Sequence, residues 1–175
     1  MTERDYLASD GALFQFHIDK DNPESFIVSR IVHKDLNSLV LSVLNTCGIW
    51  DGFLYLKNAA VIKVDVDEDY LNKLLRLSQI KKQREPKRLY SLINSFDSIL
   101  CYSQAQQKVV GIEFYESGGT DLTGMVLDYD DILVKIHQID EYGKDDGVSF
   151  VRRDSITRMA ILSARLIDIE LLFKN

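Results

Sequence analysis

Three arginines near the end of the chain, Arg152, Arg153 and Arg158, have side chains that could bind an anion or an unpaired nucleic-acid base. A guanidinium group donates paired hydrogen bonds to a phosphate, and the ring of Tyr129 could stack on a base. The alternative is that Asp154 pairs with an arginine in a turn while the other charges are solvated, since surface charge clusters are common and contribute little energy. The sequence leaves both interpretations open.

A basic segment in the middle of the chain is a second candidate binding site. Between residues 76 and 88 it carries six positive side chains and one glutamate, which could hold RNA phosphates or an acidic partner. The alternative is a solvated helix end and linker, because lysine and arginine interact favourably with the C-terminal end of a helix dipole. The candidate residues are Lys81, Lys82, Arg84, Lys87 and Arg88.

Trp50 is a candidate contact for a protein partner. It follows Gly48 and Ile49 in a predicted loop, and an exposed aromatic residue often anchors a protein interface. The same side chain could instead fold back and plug the end of a small barrel. Both roles remain open.

The residue types that usually perform catalysis or hold metals are scattered. The three histidines fall in predicted strands without metal-binding spacing: His17, His33 and His137. No nucleophile motif or phosphate-binding glycine loop is present. An alternating run of aspartates begins at Asp65 like a calcium loop, but Tyr70 stands where the sharp turn needs glycine. We therefore expect no enzyme, no cofactor and no metal.

The composition favours a protein partner over nucleic acid. The formal net charge is −6 and the isoelectric point is near 5.1, so the surface repels phosphate backbones outside local basic patches. Two cysteines, Cys47 and Cys101, form neither a disulfide framework nor a zinc set. The first residues do not resemble a signal peptide, and no apolar stretch has the length of a membrane span. We expect a cytoplasmic protein.

The two halves of the chain match weakly at an offset of 95 residues. The matching positions are the pairs Asp35 and Asp130, Gly48 and Gly143, and the Asp-Gly steps that begin at Asp51 and Asp146. Such a match predicts two copies of one unit, although two β-rich stretches could also agree by chance. The predicted units cover residues 1–80 and 88–175, and residues 81–87 form a basic linker.

The predicted elements give each unit five strands and flanking helices. In the first unit the strands cover residues 13–19, 26–34, 39–45, 53–57 and 60–66, with a helical stub at 5–9 and a helix at 67–79. In the second unit the strands cover residues 108–115, 122–129, 132–139, 148–152 and 155–161, with helices at 88–106 and 164–173. The fold class is therefore mainly β with helices (α+β), and each set of five strands is expected to close into a small barrel, which removes exposed edges.

Two short motifs in the second unit resemble those of the Sm-like small β-barrel superfamily. Gly124 is followed by Tyr129 and Asp130, and residues 151–156 read Val-Arg-Arg-Asp-Ser-Ile. The segment is also similar to an uncharacterised bacterial subgroup, so the resemblance implies a tandem duplication of Sm-like barrels. It further implies that Tyr129, Asp130, Arg152 and Arg153 hold an unpaired RNA base. Val134 and Ser155 replace two asparagines of the family pattern, and Arg153 replaces its glycine, which weakens base reading.

The expected function is that of a non-enzymatic binding or interaction protein. One alternative is an RNA-binding Sm-like protein that uses the turn at Arg152 and Arg153 and the basic linker. A second alternative is an immunity or antitoxin type of protein that neutralises a basic partner. Self-association into a homo-oligomer stays open.

Overall fold

The computed structural model describes residues 12–22, 24–66, 68–114 and 119–175. In this part of the chain ten strands form: β1 Phe14–His17, β2 Ile27–Lys34, β3 Ser38–Leu44, β4 Trp50–Lys57, β5 Lys63–Asp65, β6 Val109–Phe114, β7 Leu122–Tyr129, β8 Leu133–Ile139, β9 Asp145–Arg152 and β10 Ile156–Ile161. The three α-helices are α1 Asp69–Ile80, α2 Phe96–Gln106 and α3 Ala164–Lys174. Each strand overlaps a strand predicted from the sequence. The predicted stub at 5–9 lies outside the described residues.

Helix α2 is shorter than the helix predicted over residues 88–106. A short 3-10 turn occupies Lys87–Leu89, and α2 begins only at Phe96. Ser95 has extended backbone, and its Oγ accepts a hydrogen bond from the Ser98 amide at 3.0 Å. Ser98 Oγ in turn accepts from the Ser95 amide at 2.8 Å, which completes a capping box. This cap starts the helix in the middle of the apolar pattern.

All ten strands belong to one antiparallel sheet with the order β5-β1-β2-β3-β4-β10-β6-β7-β8-β9. Strand β4 pairs with β10, so that Tyr55 lies opposite Met159 and Phe53 opposite Ile161. Strands β5 and β9 form the two edges, and they do not pair with each other. The sheet is therefore continuous and open.

The prediction of two tandem five-stranded barrels is wrong, and so is the Sm-like identification that depended on it. Closing each half on itself would satisfy its edges, but here the edges of β4 and β10 satisfy each other. The prediction of a tandem repeat is also wrong, because the strands of both halves form one sheet. The matched positions Asp35 and Asp130 both begin hairpin turns, and Gly52 and Gly147 both have positive φ.

The largest hydrophobic cluster crosses the junction between β4 and β10. Ile99 and Leu100 of α2 pack in one cluster with Phe53 of β4, Val110 of β6 and Ile161 of β10. Burying these side chains against one helix holds the two halves of the sheet together, because each fully buried aliphatic or aromatic side chain contributes about 1.5–3 kcal/mol.

The other two helices cover separate parts of the sheet. Leu71 and Leu74 of α1 pack on Val28 of β2 and Leu44 of β3. Leu166 and Ile169 of α3 pack in a different cluster with Val109 of β6 and Ile139 of β8. None of the three helices in the described part combines the length and the apolar character needed to cross a bilayer.

Candidate functional site

A cleft of about 620 Å³ opens where three hairpin turns meet the start of α2. Its lining comes from residues 35–38 of the β2–β3 turn, Tyr55 of β4, residues 95–97 at the start of α2, Asp131 of the β7–β8 turn, and Arg153 with Asp154 of the β9–β10 turn. Both halves of the sheet contribute to this cleft.

Two aspartates shape the turns that border the cleft. Asp35 Oδ1 accepts hydrogen bonds from the amides of Asn37 at 2.7 Å and Ser38 at 2.8 Å. Asp130 Oδ1 does the same with the amides of Ile132 and Leu133, both at 2.7 Å. These amide hydrogen bonds hold the pKa of both carboxyl groups below the ordinary value. Asp35 and Asp130 are therefore turn-forming residues that stay ionised.

Arg153 connects the segments that form the wall of the cleft. Its Nη1 donates to the main-chain carbonyl of Asp130 at 2.7 Å, and its Nη2 forms an ion pair with Asp97 at the start of α2. The guanidinium carbon lies 5.1 Å from the ring centroid of Phe96. Only 18% of the Arg153 side chain is exposed, so this guanidinium is held in the wall of the cleft by contacts within the chain.

Tyr55 forms part of the cleft floor. The residue is 8% exposed, and its ring lies 4.9 Å from that of Phe96, centroid to centroid. Burial raises the pKa of the Tyr55 hydroxyl, with a partial opposing effect from its hydrogen bond to Ser38. Ser38 Oγ also donates to Asp35 Oδ2 at 2.8 Å. The floor is thus a neutral phenol connected to an ionised carboxylate through one serine.

The charge of the cleft is predominantly negative. Its lining contains four aspartates and a single arginine: Asp35, Asp97, Asp131, Asp154 and Arg153. Asp97 and Asp154 pair with arginines, whereas the exposed Asp131 has no ion-pair or hydrogen-bond partner among the described residues. Such an arrangement attracts a cation and repels a phosphate.

The structure brings together only some of the residues of the predicted arginine site. Arg153, Asp130 and Tyr129 come together, and burial raises the pKa of the Tyr129 hydroxyl. Arg152 instead lines a separate groove and pairs with Asp154. Arg158 is not part of this group, because it pairs with Glu113 of β6.

Arg158 takes part in a largely buried ion pair. Its Nε lies 2.8 Å from Glu113 Oε2, and the exposed fractions of the two side chains are 16% and 6%. Its Nη2 donates to the carbonyl of Gly119 at 3.0 Å. The guanidinium is thus neutralised within the sheet and does not join Arg153.

The basic segment lies apart from the cleft, since none of its residues lines it. Lys81 Nζ donates to the carbonyl of Cys47 at 2.7 Å, and Lys87 Nζ is 3.8 Å from Glu85. Lys82, Arg84 and Arg88 are exposed. The segment therefore presents solvated charge along the connection between α1 and α2.

Glu85 fastens this connection to the sheet. Its carboxylate forms an ion pair with Arg30 of β2 and accepts a hydrogen bond from the hydroxyl of Tyr90. Burial, with the adjacent Glu85 carboxylate, raises the pKa of Tyr90 well above its usual range. Because the Glu85 side chain is only 8% exposed, the linker is docked rather than free.

Trp50 turns inward. It is partly buried, packs against the cluster that includes Phe26 and Leu44, and has the Arg30 guanidinium carbon 5.3 Å from its ring centroid. Of the two roles considered for Trp50, this position corresponds to the one in which the side chain folds back onto the protein.

Sequence reasoning missed the main components of the cleft. Asp97, Asp131 and Phe96 carry no motif, and they join Asp35 only through the pairing of β4 with β10. The one available signal was that Asp35 and Asp130 occupy corresponding turns. Within the described ranges no group of three or more histidine, cysteine, aspartate or glutamate residues has a geometry that could hold a metal ion.

Comparison with known proteins adds no relative. No protein-family model matches the chain, and no curated protein or solved structure shows significant similarity to it. The resemblance to Sm-like motifs thus has neither the fold nor a relative to support it.

Proposed function

We propose that this chain is a non-enzymatic binding protein whose cleft receives a cationic side chain of a protein partner. The observation that carries the proposal is the charge of the cleft, where four aspartates face one arginine that is already paired. A lysine or arginine of a partner would meet the exposed carboxylate of Asp131 at the rim. The phenyl ring of Phe96 and the ring of Tyr55 offer apolar contact for its aliphatic stem.

The pairing of the arginines favours this function over RNA binding. Arg153 and Arg158 are each mostly buried and paired with a carboxylate of the chain, which lowers their capacity to neutralise phosphates. A partner of basic character also agrees with the net charge of −6, which would steer such a partner toward the chain. Neutralisation of a basic protein is the specific form of this function that we favour, with the cytoplasm as the proposed compartment.

The experiment compares two probes of opposite charge by fluorescence anisotropy at low and moderate salt. One probe is a short labelled oligoarginine peptide, and the other is a short labelled single-stranded RNA. We expect the peptide to bind and the RNA to remain free. Salt-sensitive binding of the RNA, with no binding of the peptide, would support the rival function instead.

A pair of charge-matched variants locates the peptide. Asp131→Asn removes the exposed carboxylate of the cleft that has no partner among the described residues, and Asp168→Asn removes an exposed carboxylate of α3 outside it. Asp131→Asn should weaken peptide binding about two- to fivefold, the worth of one exposed ion pair, while Asp168→Asn leaves it unchanged. Equal effects of the two variants would show that net charge, and not the cleft, binds the peptide.

A further inference from the structure

The strand at one edge of the sheet, β9, presents a longer row of backbone groups than the strand at the opposite edge. Strand β5, at the opposite edge, has three residues and begins with the exposed Lys63, whereas β9 has eight residues and pairs only with β8 among the described strands. An edge strand presents a row of unpaired amide and carbonyl groups that can pair with another chain. The irregular pairing around Gly147, where φ is +88°, interrupts the first part of β9, so residues 148–152 are the part of this edge that could accept one more strand.

The side chains of β9 add an apolar surface to that edge. Val148 and Phe150 alternate along the strand on one face, and they are 51% and 65% exposed. A groove of about 320 Å³ borders the strand, and Phe150 lines it together with Phe114 and Leu122. Exposed β-branched and aromatic side chains opposite each other on adjacent strands stabilise an antiparallel pair.

The charges of β9 identify the incoming strand. The strand starts with Asp145 and Asp146 and ends with Arg152, so its two ends have opposite charge. When two copies pair antiparallel, the acidic start of each strand lies beside the arginine of the other. A parallel pair would instead place like charges together. The edge of β9 is therefore complementary to itself.

We propose that a second copy of this chain docks on β9 and forms a two-fold symmetric dimer around Ser149. Val148 of one copy then lies opposite Phe150 of the other, and Arg152 lies near Asp146. The ion pair that Arg152 makes with Asp154 is exposed at both side chains, so the arginine exchanges partners at little cost. The residues proposed to contact the second copy do not line the cleft, although Asp154, the ion-pair partner of Arg152, does.

Light scattering coupled to size-exclusion chromatography measures the assembly. The intact chain should show twice its mass of 20.1 kDa, and Phe150→Lys should raise the dimer Kd about tenfold or more. Ile80→Lys changes a side chain of similar exposure, 67% against 65%, at the end of α1 and should leave the dimer intact. A single-chain mass up to ~1 mM, or a mass that grows without limit, would overturn the proposal.

A charge exchange tests the antiparallel register. Arg152→Glu should weaken the dimer, because it brings a negative charge close to Asp146 of the other copy. Adding Asp146→Lys to the same chain should restore the dimer to within about threefold of the original Kd. If the double variant were weaker than Arg152→Glu alone, the antiparallel pairing of β9 would be refuted. The thermal unfolding midpoint of each variant confirms that it is folded.

Discussion

The guanidinium of Arg153 donates a 2.7 Å hydrogen bond to the main-chain carbonyl of Asp130, and it thereby joins the β9–β10 turn to the β7–β8 turn. The same guanidinium pairs with Asp97 and lies over the ring of Phe96, so three separate segments converge on one side chain. The cleft keeps its shape because of this convergence.

We expect Arg153→Ala to destabilise the protein by about 2 kcal/mol, because it removes a charge-assisted hydrogen bond, an ion pair and a cation–π contact from a mostly buried side chain. Arg165→Ala is the matched control, since Arg165 is an exposed arginine of α3. Urea unfolding measures both. Equal losses of unfolding free energy would show that Arg153 has no special structural role.

The junction between β4 and β10 predicts a large effect at Gly52. Its φ is +76°, and a Cβ at this position would lie 2.3 Å from the carbonyl oxygen of Ile161. Gly52→Ala should therefore cost about 3 kcal/mol, from backbone strain and from displacement of β10.

Gly147→Ala separates these two causes. Gly147 has a φ of +88°, but a Cβ there would meet nothing within 4 Å. The expected cost is about 1 kcal/mol, from the backbone alone. If Gly52→Ala cost no more than Gly147→Ala in urea unfolding, the close approach of β4 to β10 would be wrong.

The docked linker predicts that Glu85 is a stability residue although it lies in a basic segment. Glu85→Ala leaves the Arg30 guanidinium without its carboxylate partner in a largely buried position, and we expect a loss of about 3 kcal/mol. Lys87→Ala, in the same segment but exposed, should change the unfolding free energy little. A free linker would instead tolerate both substitutions.

The ion pairs of Glu170 predict that part of the folding stability is lost at acid pH. Burial alone would raise the pKa of this carboxyl, but Lys108 and Lys174, each 2.8 Å from its Oε1, hold the pKa below the ordinary value of 4.5. A depressed pKa in the folded state means that the stabilisation is complete above about 4.5 and is lost as the pH falls through the folded value.

Unfolding free energies over a series of acidic pH values test this account. Glu170→Gln should lower stability at neutral pH and flatten the decline on the acid side. Asp168→Asn, on the exposed face of the same helix, should leave the shape of the pH profile unchanged. An unchanged acid decline in Glu170→Gln would remove Glu170 from the explanation.

The sequence predicted the strands well because their signal is local. Runs of β-branched and aromatic residues between turn residues predicted both ends of β7 at the observed residues. Helix α3 begins at Ala164 as predicted, and Ser163 caps it. Helix α2 was overextended because its apolar spacing continues before the capping box at Ser95.

The sheet order and the cleft depend on non-local contacts that no short pattern encodes. Whether β4 closes on its own half or pairs with β10 depends on contacts between segments far apart in the sequence, and on a core that α2 shares between both halves. The pairing of Arg153 with Asp97 follows from that arrangement. The strands could therefore be predicted correctly while the sheet order was wrong and the candidate site incomplete.

The most direct test of the cleft is a titration of the isotopically labelled protein with a short oligoarginine peptide, followed by amide chemical shifts. The proposed function predicts that shifts concentrate at residues 35–38 and 95–97 and at Asp131, and that Asp131→Asn reduces them. Shifts spread over the acidic surface, or confined to residues away from the cleft, would contradict a cation site at this position.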